Sequence, residues 1–484
     1  MKYDVIIIGA GITGNSIAFE LSKYKLKVAV IDKENDVANA TTKANSGIIH
    51  GGYDPIKNTY MARCNVIGNR KTRELAKKLN VHIKNIGSLV VGRKEKDKEK
   101  IDELYERGIT NGVPGLSIID GKEQTHLLEK NLQDDIDYAL LCTSSCIISP
   151  WEYALALAYT AKVNGTDFFL DEEVTDIDKT ESGFRIKTSK NEYQSDFIFN
   201  CAGLYADKIF DLALKDAKEE SFKITPVKGE YYLLDKDQGD IVSHVIFQIP
   251  SEKGKGVLVS PTVHGNLIIG PDALEIEDKD DVSNTYSGLS FVKESSKQSV
   301  KNINFASNIR NFTGIRATIK GYDDFYIKES KTLPRFINFA GIKSPGLSSA
   351  IEFGTIAVSF IRGRKRLDKK KHLTLYPLPT FFKDLKESEK IKLLKKDPDY
   401  GEVICRCETV TLGEIKKAID APIGARSIDG IKRRTNAGMG RCQGGFCSPK
   451  VFSILKKKLN LPFDEVYQDK TDSQIVLFKT KGGK

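Results

Sequence analysis

The stretch YDVIIIGAGITGNSIAFELSKYKLKVAVIDKE, residues 3–34, decides the fold of this chain. Its continuous apolar run at residues 5–8 predicts a parallel-type strand that is buried on both faces. A glycine turn follows and opens an apolar helix, and a second apolar run ends at Asp32. This order of elements is typical of a βαβ nucleotide-binding unit, so we expect an α/β fold built on a Rossmann-like sheet.

The glycine turn GAGITG, residues 9–14, fits the pattern G-x-G-x-x-G. Gly9 permits the tight turn, Gly11 lets the backbone approach a pyrophosphate, and Gly14 lets the helix pack closely on the strand. The helix start offers backbone N–H groups to phosphate oxygens, and Asp32 can accept hydrogen bonds from ribose hydroxyls. The motif predicts a dinucleotide site but does not by itself separate FAD from NAD.

Two later glycine-rich segments favour FAD. Residues 41–52, TTKANSGIIHGG, follow the acidic strand end where a chain passes the rest of a long cofactor. Residues 340–350, AGIKSPGLSSA, are a second glycine turn running into a helix, whose N-terminus could stabilise negative charge on a reduced flavin. The alternative interpretation is that both segments are simply glycine-rich loops.

Four of the eight cysteines form two tight pairs near the C-terminus, Cys405 with Cys407 and Cys442 with Cys447. In a cytosolic chain such spacing indicates metal or redox chemistry before disulfides. Four thiolates suit either zinc or an iron–sulfur cluster. The glycines around both pairs favour backbone hydrogen bonds to sulfur, which tune a cluster's potential.

Residues 1 to about 360 resemble the D-amino-acid-oxidase-like FAD oxidoreductases, and among them most of all the anaerobic-type glycerol-3-phosphate dehydrogenases, the related oxidases and the L-2-hydroxyglutarate oxidases. The likeness rests on GAGITG, NSGIIHGGYDP, FNCAGLYAD, PVKGEYYLLD, GKGVLVSPT, FTGIRA and GIKSPGLSSA, in that order. It implies an FAD-binding domain into which an antiparallel-sheet substrate domain is inserted, α+β overall. The further residues that it places near the cofactor are Thr41, Thr42, Ser46, Gly51, Val174, Ala202, Gly203, Gly346, Leu347 and Ser348.

The C-terminal segments CRCETVT and KRRTNAGMGRCQGGFC resemble the bacterioferritin-associated ferredoxin domain, a two-iron two-sulfur module. The second pair has a wider spacing than the free-standing ferredoxin's C-x-x-C, which bears on the cluster type. Structural zinc, or no metal at all, stays the alternative to a cluster. The predicted domains are an FAD-binding domain at 1–80, 145–220 and 330–362, a substrate or cap domain at 81–144 and 221–329, a basic linker at 363–400, the [2Fe-2S] domain at 401–460 and a tail at 461–484.

Oxidising a secondary alcohol at a flavin needs a base for the hydroxyl proton and cations for an anionic substrate. His50 lies in a glycine-flanked loop beside the predicted flavin, and its ordinary pKa suits proton transfer near neutrality. Arg316 in FTGIRA can hold a phosphate or carboxylate in a bidentate manner. Lys255 is the second candidate cation and Lys228 the third, although each alone is more often a surface lysine. Tyr232 could line the pocket, although a Tyr on a strand is usually part of the core.

These features predict an FAD-dependent dehydrogenase that oxidises sn-glycerol 3-phosphate to dihydroxyacetone phosphate and passes electrons through the cluster to an acceptor protein subunit. Phosphate and carboxylate look alike to an Arg/Lys pair. A 2-hydroxy-acid dehydrogenase, for 2-hydroxyglutarate for example, or an amino-acid dehydrogenase therefore stays the alternative. A non-catalytic flavin and iron–sulfur redox sensor is the alternative of another class.

Most of the net charge of +10 comes from one segment of the chain. Residues 361–400 hold 13 Lys and Arg against 6 Asp and Glu. This stretch is either a solvated linker or a surface for an acidic partner or anionic membrane. Nothing resembles a nucleic-acid-binding motif, a spanning helix or a secretory signal. We therefore expect a cytoplasmic protein without nucleic-acid partners, which reaches a membrane only peripherally, through a partner.

Overall fold

The computed structural model describes residues 1–215, 221–250 and 256–478. Its helices in chain order are α1 Ile12–Leu21, α2 Tyr60–Lys78, α3 Lys94–Thr110, α4 Lys122–Leu128, α5 Pro150–Val163, α6 Ala206–Leu214, α7 Tyr286–Ser296, α8 Gly346–Ile361, α9 Glu387–Lys396, α10 Leu412–Ile419, α11 Ile428–Thr435 and α12 Ser448–Leu459. Its strands are β1 Lys2–Ile8, β2 Val28–Ile31, β3 Ile48–Ile49, β4 Ile83–Lys84, β5 Ser88–Gly92, β6 Leu116–Asp120, β7 Tyr138–Cys142, β8 Cys146–Ile148, β9 Asp167–Phe169, β10 Val174–Lys179, β11 Phe184–Thr188, β12 Glu192–Asn200, β13 Ile224–Leu234, β14 Val245–Phe247, β15 Leu258–Pro261, β16 Leu267–Gly270, β17 Leu274–Glu275, β18 Asn308–Ile319, β19 Tyr326–Glu329, β20 Phe336–Ala340, β21 Val403–Cys405 and β22 Val410–Thr411.

The first sheet has β1 at its centre, parallel to β12 on one side and to β2 on the other. β9 and β20 extend it in parallel, and β10, β11 and β19 add antiparallel strands. Val5 and Ile7 of β1 pack in a core with α1, α5 and α8, whereas Ile6 and Ile8 pack in a second core with α6. Both faces of β1 are thus buried, which confirms the parallel-type strand predicted from its continuous apolar run.

The second sheet runs in the order β17-β13-β16-β15-β14-β5-β7-β6, with β18 also paired to β13. Its pairs are antiparallel except β14 with β5, which run parallel, Val245 opposite Ser88. This pair joins strands from two distant parts of the chain, so no hairpin pattern in the sequence could reveal it. Apart from that pair, the α/β fold with an inserted antiparallel sheet is confirmed.

A small C-terminal unit holds β21, β22, α10, α11 and α12 around one core that includes Ile404, Ile415, Ile431 and Leu455. α10 begins with a capping box, in which Thr411 accepts a hydrogen bond from the Glu414 N–H and the Glu414 carboxylate accepts one from the Thr411 N–H. These local signals explain why the helix begins at Leu412.

The predicted basic linker packs on the first sheet's domain and carries α9. Arg364 pairs with Glu329, and Lys365 pairs with both Asp4 and Asp196. Part of the positive charge of this segment is therefore neutralised inside the chain. The predicted domain bounds stay predictions. In the part of the chain that the structure describes, no helix is both long and apolar enough to cross a membrane.

Candidate functional site

A cavity of about 2450 Å³ opens between the first sheet and the second. It exceeds the ~300–1,000 Å³ typical of a drug-sized ligand, so it can hold a dinucleotide cofactor and a small substrate together. The sequence-predicted site residues that line it are Gly9, Gly11, Asp32, Thr41, Thr42, Ser46, His50, Val174, Ala202, Gly203, Arg316, Gly346 and Leu347. Lys255 lies outside the described residues.

Three other predicted cofactor residues support the cavity wall from behind. A Cβ atom on Gly14 would lie 1.9 Å from the Gly9 carbonyl oxygen, and one on Gly51 would lie 2.3 Å from Cys142 Sγ. Ser348 is buried, and its Oγ accepts a hydrogen bond of 2.7 Å from the His50 N–H. These positions shape the turns that line the cavity.

The start of α1 is suited to a pyrophosphate. Gly11 caps α1 without a side-chain hydrogen bond, so the helix opens toward the cavity with backbone N–H groups and a positive dipole end. Gly9 has a φ of 110°, and a Cβ there would lie 2.4 Å from the Cys201 carbonyl oxygen. Thr42 Oγ1 accepts a hydrogen bond of 3.0 Å from the Ile12 N–H and ties residues 41–43 to the helix start.

Asp32 closes the same end of the cavity. Its Oδ2 accepts a hydrogen bond from the Ala10 N–H at 2.5 Å, and its Oδ1 accepts one from the Glu34 N–H at 2.8 Å. Burial raises the pKa of Asp32 to about 6, against these hydrogen bonds. The carboxylate is ionised at neutral pH and can accept hydrogen bonds from ribose hydroxyls.

His50 is held from several sides. Its backbone carbonyl accepts hydrogen bonds of 3.0 Å from the side-chain amides of Asn65 and Asn69 on α2. Its ring stacks on Phe247 with 5.6 Å between centroids, and its Nε2 lies 3.3 Å from Ser344 Oγ in the second glycine turn. The imidazole is therefore fixed in the cavity beside that turn.

Arg316 enters the cavity from β18. Its Nη2 donates to the Asp272 carbonyl oxygen at 3.2 Å, and its guanidinium lies beside the Tyr231 hydroxyl. Ser46 Oγ is 3.4 Å from that hydroxyl. Burial raises the pKa of Tyr231, so its hydroxyl keeps its proton at neutral pH. The three side chains form a polar wall of the cavity, and Arg316 gives that wall a positive charge.

The two weaker candidates on β13, Lys228 and Tyr232, do not line the cavity. Lys228 is buried, and its Nζ bonds to Asp281 Oδ2 at 3.0 Å and to Ser283 Oγ at 3.2 Å, so it neutralises a carboxylate away from the cavity. Tyr232 packs edge-on against Phe305, and its neighbour Tyr231 lines the cavity instead. Side chains alternate along a strand, so Lys228 and Tyr232 share the face opposite to Tyr231.

Tyr231, Ser344 and Phe247 are the contacts to the proposed active site that sequence reasoning missed. The alternation of β13 carried a signal for Tyr231, because Val227 and Leu233 share its face and also line the cavity. Ser344 lies in the quoted segment GIKSPGLSSA. Phe247 lies on β14, whose pairing with β5 brings it to His50, and no local pattern indicates that contact.

The four C-terminal cysteines lie together in the structure. Cys407 Sγ is 3.7 Å from Cys442 Sγ, and the Cys405 sulfur is hydrogen-bonded to that of Cys447. That bond lowers the pKa of Cys405 to about 6, and the N–H groups of Gly438 and Glu408 also donate to its sulfur, although burial opposes the shift. Four converging sulfurs with backbone donors fit the sulfur-rich ligand set of an iron–sulfur cluster.

The comparisons with known proteins define the class. Residues 4–359 match the family described as FAD dependent oxidoreductase, and residues 403–457 match the BFD-like [2Fe-2S] binding domain. The chain belongs to the FAD-dependent oxidoreductase family, binds FAD and carries a C-terminal [2Fe-2S] domain.

Two relatives and one solved structure are similar to this chain over most of its length. The chain is 48% identical to glycerol 3-phosphate dehydrogenase of Caloramator mitchellensis over 482 residues, 99% of each chain. It is 33% identical to glycerol 3-phosphate oxidase of Mycoplasma genitalium, covering 74% of this chain and 94% of that one. Among solved structures, dithionite-reduced L-α-glycerophosphate oxidase of Mycoplasma pneumoniae with FAD bound matches with a TM-score of 0.73 and 31% identity, over 79% of this chain and all of that one.

Proposed function

We propose that this chain is an FAD-dependent glycerol-3-phosphate dehydrogenase that passes electrons through its [2Fe-2S] cluster to an acceptor protein. The observation that carries the proposal is that one cavity holds His50 and Arg316 beside the second glycine turn. The substrate follows from the identity over nearly the whole chain with a protein named glycerol 3-phosphate dehydrogenase.

In the proposed reaction the chain's own residues bind the substrate and accept its proton. Arg316 holds the phosphate, and the hydroxyls of Tyr231 and Ser46 add donors on the same wall. The imidazole of His50, beside Ser344, takes the proton of the substrate's secondary hydroxyl at Nε2. FAD, held at the start of α1 and beside the second glycine turn, would supply the acceptor for the hydride that leaves the same carbon, and a cluster on the four C-terminal cysteines would supply one-electron transfer. The product is the ketone, dihydroxyacetone phosphate.

The substrate assignment is tested by anaerobic flavin reduction. Purified protein is mixed with sn-glycerol 3-phosphate, L-2-hydroxyglutarate or amino acids, and the visible flavin absorbance is followed. We expect rapid bleaching with glycerol 3-phosphate alone. Bleaching by only a hydroxy acid or an amino acid would replace the substrate, and no bleaching by any of them would favour a redox sensor.

Two variants test the roles of the site residues. Because general-base catalysis contributes about 10²–10⁴-fold, His50→Asn should slow flavin reduction by that factor with little change in substrate Kd. Arg316→Gln should mainly raise the Kd for glycerol 3-phosphate. Arg185→Gln is the matched control, since Arg185 on β11 pairs with Asp178 and is not among the residues that line the cavity. A His50→Asn protein with the wild-type reduction rate would remove the base assignment.

A further inference from the structure

A cluster of two histidines and one glutamate lies at the junction of three parts of the chain. His82 precedes β4, Glu152 lies in the first turn of α5, and His264 lies in the turn between β15 and β16. One ligand atom from each residue lies within 4.8 Å of the other two. The proposed reaction uses none of these three residues.

The carboxylate at the centre of this cluster is buried but only half satisfied. Glu152 is 4% exposed, and its Oε2 accepts from the His82 backbone N–H at 3.0 Å and lies 2.7 Å from His82 Nδ1. Its Oε1 lies 3.4 Å from His264 Nε2 without the alignment of a hydrogen bond. Neither of these two atoms has a hydrogen-bond partner in the described part of the chain. When His264 is protonated these two atoms form an ion pair. When His264 is neutral with its proton on Nδ1, Oε1 and Nε2 face each other with lone pairs, which a cation can share.

The surroundings hold both imidazoles in place. The His82 ring stacks on Phe381 with 5.0 Å between centroids, and the His264 ring stacks on Trp151 with 6.2 Å. Tetrahedral coordination with ligands about 2.1 Å from the ion sets the donor atoms about 3.4 Å apart. Glu152 Oε1 and His264 Nε2 already have this separation. The other donor atoms, which lie within 4.8 Å of one another, reach it when side chains rotate and move by up to about 1.4 Å.

A side chain of the [2Fe-2S] domain supports His264 from behind. Asn436 Nδ2 lies 3.3 Å from His264 Nδ1, while Asn436 Oδ1 is buried and has no partner in the described residues. Turning this amide by half a rotation, which leaves its shape unchanged, lets Oδ1 accept a hydrogen bond from the Nδ1–H of His264. His264 would then present the lone pair of Nε2 to the cluster, as metal-binding histidines do when an outer partner fixes their tautomer.

We propose that His82 Nδ1, Glu152 and His264 Nε2 bind one divalent metal ion, with zinc the best match. Two imidazoles and a carboxylate are borderline ligands that suit zinc, and solvent water completes the coordination at the half-exposed His82. The ion joins the first sheet's domain to the second sheet's turn and, through Asn436, orders the neighbouring [2Fe-2S] domain. The site does not depend on the proposed substrate.

The test measures zinc rather than activity. Purified protein that contains FAD and the cluster is treated with EDTA, desalted and titrated with zinc sulfate by calorimetry, and zinc is then counted by elemental analysis. We expect one zinc per chain, unchanged absorbance of flavin and cluster, and binding weakened more than about 100-fold in Glu152→Gln and His264→Gln. Asn436→Ala should weaken binding by about 10–100-fold, as losses of outer partners do.

The controls separate this site from other ligands. His244 and Glu129 form another His–Glu pair, 2.7 Å apart with the Glu buried, so His244→Gln should leave zinc binding unchanged. Retention of the zinc in Cys407→Ser would support the proposal, because it excludes the cluster cysteines as the ligands. The proposal is overturned if the wild-type protein takes up no zinc, or if zinc remains bound with the same affinity in His264→Gln. His264 lies in a turn, so that variant stays informative even if Glu152→Gln folds poorly.

Discussion

Asp36 joins the [2Fe-2S] domain to the FAD-binding domain, and replacing it with asparagine should loosen that contact. Its carboxylate is buried and receives both Nη atoms of Arg434 at 2.7 Å, while Arg433 Nη2 lies 3.0 Å away. Both arginines lie on α11 of the [2Fe-2S] domain. Burial opposes ionisation, but Arg434 and Arg433 outweigh it and lower the pKa of Asp36. The carboxylate is therefore ionised at neutral pH.

The size of the opening effect in Asp36→Asn follows from the free-energy cost of leaving an arginine charge buried without its carboxylate partner. Removing one member of a buried ion pair costs about 3–5 kcal/mol. Arg433 keeps Asp469 at 2.7 Å, so most of the loss falls on Arg434, whose remaining partners are the Tyr159 hydroxyl and backbone carbonyls. At 1.4 kcal/mol per factor of ten, Asp36→Asn should raise the open fraction of this contact about 100- to 4,000-fold.

Hydrogen–deuterium exchange of α11 measures that opening directly. The backbone amides of residues 428–435 should exchange about 100- to 4,000-fold faster in Asp36→Asn than in the wild-type protein. Asp135→Asn is the control, because Asp135 pairs with Arg93 at the surface with 62% of its side chain exposed, and such pairs contribute only about 0–1 kcal/mol. Exchange of α11 in Asp36→Asn within threefold of wild type would refute the reasoning.

The same contact should weaken in acid. Because the pKa of Asp36 is lower in the folded protein than its ordinary value of 3.8, its contribution is complete above that value. The stability that the ionised Asp36 carboxylate contributes is lost as the pH falls from 3.8 toward the pKa of Asp36 in the folded protein. In Asp36→Asn, α11 exchange should lose this acid-dependent step.

Three further perturbations concern the cofactor sites. Gly14→Ala should abolish FAD retention, because its Cβ would lie 1.9 Å from the Gly9 carbonyl oxygen, whereas Gly401→Ala, with only an ordinary contact at 3.5 Å, should keep full flavin content. The FAD affinity of the apoprotein should fall as the pH drops below about 6, since protonated Asp32 loses an acceptor for ribose, and Asp32→Asn should remove that dependence in a fluorescence titration. Cys407→Ser should lose iron and sulfide while glycerol 3-phosphate still bleaches the flavin, and a full cluster in that variant would contradict the ligand assignment.

Local patterns were sufficient for the elements closest to the cofactor. The apolar run of β1, the turn at Gly9 and the helix α1 form from neighbouring residues, because strand burial, turn conformation and helix capping depend on short stretches of chain. The paired cysteines were equally informative, since the members of each pair are close in sequence and the structure brings the two pairs together, Cys407 to Cys442 and Cys405 to Cys447. The comparisons then confirmed the family and both cofactors that these segments predict.

Side-chain direction within the site needed the tertiary structure. Lys228 is directed to Asp281, 53 residues further along the chain, and Tyr231 rather than Tyr232 enters the cavity. The pairing of β13 with β18 fixes which face of β13 meets the cavity and places Val227 opposite Arg316. A shift of one residue in that register would exchange the two faces, and no local propensity sets it.

The amino-acid sequence by itself determined the class of this protein, because glycine turns, apolar runs and cysteine pairs act over a few residues. Only the tertiary structure decided which distant groups meet. It brings His82 to Glu152, 70 residues away, and Asp36 to Arg434, 398 residues away. Such contacts depend on how the sheets and domains pack against one another, since burial makes the ion pairs strong and the unpaired atoms costly. The electrostatics that join the FAD and [2Fe-2S] domains therefore belong to the folded chain and not to any single segment of it.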